Sequence, residues 1–159
     1  MMVVFAASGI LSPVAVAAGF DLHNMWHNRC AECHGHSGAF ARKFLSVSEG
    51  KLLGHHHVHD LRQFLTNHYA PDHEVDAIYR MLWAQASSPP RFEEECRCCH
   101  DLAANFVRNS LYFCDEGLCG RESQQPIHRF LARHRKLTSE DVEFFTRVLD
   151  RVANEVYRP

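Results

Sequence analysis

Two short runs, Cys30-Ala31-Glu32-Cys33-His34 and Cys96-Arg97-Cys98-Cys99-His100, stand 66 positions apart in a chain of 159 residues, and the same shift carries much more into register without a gap. Trp26 falls on Phe92, Phe40 on Phe106, Leu45 on Leu111, Leu52 on Leu118, Gly54 on Gly120 and Leu61 on Ile127. Phe64-Leu65-Thr66-Asn67-His68 lies over Phe130-Leu131-Ala132-Arg133-His134, Glu74 over Glu140, and Ile78-Tyr79 over Phe144-Phe145. Apolar positions matched this far beyond the Cys and His residues are what a duplication leaves, because each copy must bury the same places. The expected organisation is two similar units, 19–86 and 91–159, with a linker at 87–90, where Ser87-Ser88-Pro89-Pro90 breaks helices and offers little to bury. A unit of this size has a marginal core by area alone, so each copy needs a second source of stability.

Composition narrows what that source is. The 7 Cys are about 4% of the chain, below the roughly 8–10% of a disulfide-stapled scaffold, and they are grouped rather than scattered. Both grouped runs have the Cys-x-x-Cys-His spacing of a c-type haem attachment site. Residues three apart on a helical turn share a face, so two thiols can form thioethers to the two vinyl groups of one porphyrin. The imidazole that follows then points at the iron as its proximal ligand. Cys30, Cys33, Cys96 and Cys99 are thus candidate attachment residues, and His34 and His100 candidate proximal ligands. Zinc also uses Cys-x-x-Cys pairs, but 62 residues separate these two, far beyond the roughly 15–20 of a ribbon. A redox disulfide motif would not require His after the second Cys in both copies.

With these residues in view the chain resembles a dihaem c-type cytochrome. Cys30-Ala31-Glu32-Cys33-His34-Gly35-His36-Ser37-Gly38 is similar to the haem-binding turn of class I cytochromes c, with the aromatic Trp26 one turn before it. The second copy departs from that pattern, with Asp101 where Gly35 stands and Cys98 inside the motif. The resemblance implies an all-α fold of two tandem cytochrome c-like units, and two haem c groups with their iron. It further implies an electron carrier rather than an enzyme, working between a redox-protein donor and acceptor, alone or as a subunit of a larger redox complex. The alternative is a haem enzyme, either a peroxidase or a small-ligand reductase, or a ligand sensor with one five-coordinate haem.

The sixth ligand separates these readings, since an iron closed by two side chains mainly shuttles electrons. Met is the usual distal ligand of class I cytochromes, but beyond the N-terminal segment only Met25 and Met81 remain, and Met81 aligns with Arg147. His68 and His134 offer a symmetric choice, each 34 residues after its proximal His and each ending an i, i+3, i+4, i+7 stripe. The stripes are Leu61, Phe64, Leu65, His68 and Ile127, Phe130, Leu131, His134. Distal ligation, capping of the helix end and ordinary packing all remain open for this pair. The run His55-His56-His57-Val58-His59 is a solvated loop, a ligand source for the first haem, or a separate zinc or copper site.

Residues 1–18 carry no charge and contain Ala15-Val16-Ala17, a small-x-small cleavage pattern, so a secretory signal peptide is expected. Export would place the mature chain in the periplasm or another oxidising compartment, with no membrane span left; an uncleaved segment would instead anchor it. A formal charge of −2 without a long basic run sets nucleic acid aside as a partner. Cys114 and Cys119 flank the turn sequence Asp115-Glu116-Gly117 and are expected to meet as a disulfide or to stay as buried thiols. Arg129, Arg133, Arg135 and Lys136 crowd one stretch, as a solvated face, as charge partners of haem propionates, or as a steering patch for an acidic redox partner. Helix starts are expected at Asp72 and at Thr138, where Asp141 completes a capping box.

Overall fold

A computed structural model describes residues 20–56 and 59–158 of the chain. The expected signal segment 1–18 lies outside the described residues.

The first copy begins with α1 (Leu22–Arg29), started by the Asp21 side chain accepting from the Asn24 N–H. A short α2 (Ala31–His34) carries the first Cys and His run, and α3 (Ser37–Phe44) leads into a hairpin of β1 (Leu45–Ser48) and β2 (Lys51–Gly54). Next come α4 (Leu61–Thr66), capped by Asp60, and the long α5 (Asp72–Ser87). The second copy opens on a wide π-helical turn, Phe92–Cys96, followed by α6 (Ala103–Ser110), the hairpin β3 (Leu111–Cys114) and β4 (Gly117–Gly120), α7 (Ile127–Leu131) and α8 (Ser139–Val156). From α3 to β2 the bounds recur in α6 to β4 at the same spacing of 66 residues. Equivalent positions are buried in both: Ala41 and Val107, Leu45 and Leu111, Leu52 and Leu118, Leu61 and Ile127, Leu65 and Leu131.

The all-α expectation is wrong. Two antiparallel two-stranded sheets make the fold mixed α/β. Each strand is only four residues long, and Leu45, Leu52, Leu111 and Leu118 turn inward while most of their neighbours stay outside. The first hairpin turns on Glu49 and Gly50, both with positive φ, the backbone that matches the twist of the paired strands. The second has its positive φ at Gly117 and is closed by a Cys114–Cys119 disulfide. At α8 the Thr138–Asp141 capping box is present in both directions. At α5 Asp72 is the first helical residue rather than the cap, because Pro71 takes that position.

Two apolar clusters result, one drawn from residues 22–82 and the other from 92–156. They meet along a polar seam in which Arg108 forks onto Asp21 at 2.6 and 3.1 Å, His23 meets Glu155 at 2.8 Å, and Arg42 meets Glu93 at 2.9 Å. The Phe20 N–H donates to the Arg158 carbonyl at 2.8 Å, which brings the two ends of the described chain together.

Candidate functional site

The two Cys and His runs form the same backbone turn. In the first, the Cys33 and His34 N–H groups both donate to the Cys30 carbonyl, at 3.2 and 2.9 Å; in the second, Cys99 and His100 donate to Cys96 at 3.1 and 3.0 Å. What locks the turn differs between the copies. The Trp26 indole N–H donates to the Gly35 carbonyl at 2.9 Å, and Gly35 takes a positive φ to leave the turn. Phe92 has no such donor. There Asp101, in place of Gly35, accepts from the Leu102 N–H and the Asn105 side-chain amide at 2.7 Å each, just before α6.

Each proximal candidate packs on the aromatic residue of the next helix. The His34 ring lies 4.7 Å from Phe40 and the His100 ring 4.6 Å from Phe106, centroid to centroid. Across from them, His68 stacks on Phe64 and His134 on Phe130, at 4.5 and 5.1 Å. The stripes are not single helix faces to their ends: α4 stops at Thr66 and α7 at Leu131, and each His follows in a tight turn, its N–H on the Leu65 or Leu131 carbonyl. The result is one geometry made twice. His34 faces His68 with ring centroids 5.9 Å apart, and His100 faces His134 at 6.0 Å.

Each facing pair borders an apolar cavity. The first, about 390 Å³, is walled by Cys30, Cys33, Trp26, Leu61, Leu65 and Ile78 among others. The second, about 380 Å³, has Cys96, Cys98, Ile127, Leu131, Phe145 and Leu149 on its walls. These volumes fall within the usual range for small-molecule and cofactor sites. Burial, and then the neighbouring His68, lower the pKa of His34; burial, His134 and Arg135 do the same for His100. Both rings are therefore held toward the neutral form that metal coordination requires. Burial pushes the Cys30 and Cys96 thiols up.

Some of the expected residues stand elsewhere. His55, His56 and His59 are not on the first cavity's wall, and His57 lies outside the described residues. His23 is engaged with Glu155 in the seam. Among the described residues, no group of three or more His, Cys, Asp or Glu side chains is arranged to hold a metal ion by itself. The first wall also includes Arg29 and Tyr69, which the motifs do not contain, beside Met25, and the second includes Arg135 of the basic stretch. Tyr69 and Arg135 are equivalent under the 66-residue shift and share a left-handed backbone, φ 54° and 58°. The shift itself is the signal that would have paired them.

No family model, curated protein or solved structure matches the chain. Among the described residues, no helix is long and apolar enough to cross a membrane.

Proposed function

We propose that each cavity holds one covalently attached haem c and that the protein carries electrons between a redox-protein donor and an acceptor. The observation that carries this reading is the paired imidazole spacing. With metal–imidazole bonds of about 2.0 Å and the ring centre roughly 1 Å behind the bonding nitrogen, two imidazoles whose centroids are about 6 Å apart would be close enough to hold one metal ion between them. Both units meet that separation, over an apolar cavity and beside a Cys-x-x-Cys turn.

In this reading Cys30 and Cys33 hold the first haem and Cys96 and Cys99 the second, with His34 and His100 as proximal and His68 and His134 as distal ligands. The haem supplies a one-electron Fe(III)/Fe(II) couple, and two imidazoles set a lower potential than His with Met. The chain's own part is to hold the four imidazoles in place, aligned by Phe40, Phe64, Phe106 and Phe130, and to keep water off the apolar walls. Because both units present a His on each side of the cavity, the five-coordinate enzyme or sensor has no unit that favours it. Export, with maturation in an oxidising compartment, accompanies this reading, and the Cys114–Cys119 disulfide is consistent with it.

The test is electron paramagnetic resonance and optical spectroscopy of the oxidised and reduced holoprotein, with and without carbon monoxide. Two low-spin haems indifferent to carbon monoxide are expected. A high-spin haem that binds it, or a near-infrared Met-to-iron charge-transfer band, would overturn the bis-His assignment.

A further inference from the structure

The second copy differs from the first by one additional thiol inside its motif. In the first unit both cysteines of the run, Cys30 and Cys33, are on the cavity wall, and the residue between them that corresponds to Cys98 is the exposed Glu32. In the second unit the wall contains Cys96 and Cys98, while Cys99 is not among its lining residues. The Cys98 and Cys99 sulfurs are 3.6 Å apart, so both thiols stand at the edge of the same cavity. Arg135, on the same wall, donates to the Glu95 carbonyl at 2.8 Å and reaches the Cys98 sulfur at 3.7 Å; the Cys98 thiol also lies 4.0 Å from the Glu95 carbonyl.

Residues two apart on a regular α-helix point to nearly opposite sides, so Cys96 and Cys98 would not be expected to share a wall. The backbone entering this motif is the wide π turn Phe92–Cys96, whereas the first motif is entered from the α-helical α1. A π turn changes the angular advance per residue and redirects the side chains after it.

We propose that the second unit has two interchangeable thiols for its second thioether, Cys98 as well as Cys99, with Cys96 always supplying the first. This rests on the haem reading above. The chemistry is an addition: the sulfur bonds to one carbon of a porphyrin vinyl group, the carbon–carbon π bond opens, and the thiol hydrogen goes to the other vinyl carbon. No electrons are gained or lost, and no further reactant is needed. The consequence is tolerance, since loss of Cys99 need not cost the second unit its second covalent bond, while loss of Cys33 must cost the first.

Tryptic mapping resolves this directly, because Arg97 lies between Cys96 and the Cys98-Cys99 pair. The full chain and its Cys99→Ser, Cys98→Ser and Cys33→Ser variants are produced together with a haem-attachment apparatus, alkylated with iodoacetamide, digested and analysed by mass spectrometry. In the unaltered chain and in Cys98→Ser, a haem bridging peptides 92–97 and 98–108 is expected. Cys99→Ser is expected to keep that bridge, whereas Cys33→Ser leaves the first haem on Cys30 alone. If Cys99→Ser instead behaves like Cys33→Ser, with haem only on the Cys96 peptide or none in the second unit, the inference is wrong and the haem reading stands. If the unaltered chain has no covalent haem in either unit, the haem reading itself fails.

Discussion

At the scale of single residues the two units agree most closely where the imidazoles are and least where the turns are locked. His34, His68, His100 and His134 keep the same Phe partners and nearly the same spacing in both copies, although Trp26 also meets His34 in the first and Tyr69, 92% exposed beside His68, is replaced by Arg135 beside His134. If the proposed haems are bound and His68 and His134 act independently as their distal ligands, His68→Ala should leave one high-spin, carbon monoxide-binding haem and one unchanged low-spin haem, and His134→Ala the converse. Optical difference spectra with carbon monoxide decide it; two altered haems from one substitution would mean that the pairs are not separate. The histidine positions were legible because an imidazole that recurs after an apolar stripe in two copies is hard to place twice by chance. The Trp26 to Gly35 bond and its replacement by Asp101 were not legible, since the sequence shows a Trp and a Phe without showing what either one reaches.

At the scale of elements, helices with polar starts were easier to foresee than the strands. The Thr138 and Asp141 box could be read from side-chain chemistry alone, and Asp141 also pairs with Arg91 at 2.6 Å. The hydrogen bond from Thr138, then that from Arg91, hold the Asp141 carboxyl down to about 2. A carboxyl lowered in the folded state adds stability above its unfolded value, near 4, and that stability disappears as pH falls toward 2. Asp141→Asn should therefore be less stable than the unaltered protein at pH 7, with the difference vanishing near pH 2, as followed by denaturant unfolding across that range. Thr138→Ala should cost about 1 kcal/mol. The hairpins escaped the sequence reading because a four-residue strand with one or two inward leucines is too short to show its alternation against the helical periodicity on either side. The disulfide across the second hairpin closes a short loop, worth about 2 kcal/mol in the chain-entropy account. A Cys114→Ser, Cys119→Ser double variant should lower stability by that order, and reducing agent should have the same effect on the unaltered chain. The first hairpin, with Ser48 and Leu53 at those positions, should not respond to reductant.

At the scale of the whole molecule, the sequence divided the chain into two units but was silent on how they meet, because ion pairs between units have no periodic signature. Asp21 both starts α1 and receives Arg108, so a residue outside the repeated core joins one unit to the other. Arg108→Ala removes both bonds to a half-buried carboxylate and should cost about 2 kcal/mol. Scanning calorimetry should then show two separated unfolding transitions in place of one, while a single undivided transition would mean that the seam is held by other contacts. Phe20 and Arg158 are already hydrogen-bonded neighbours, and Ser88 to Pro90, after the end of α5, form the connection between the units. The polypeptide between residues 20 and 158 is thus topologically almost a ring, and which unit comes first is set by where that ring is cut. A circular permutant with residues 158 and 20 bridged and new ends opened at the connection should fold to the same pair of sites, with the order of synthesis reversed.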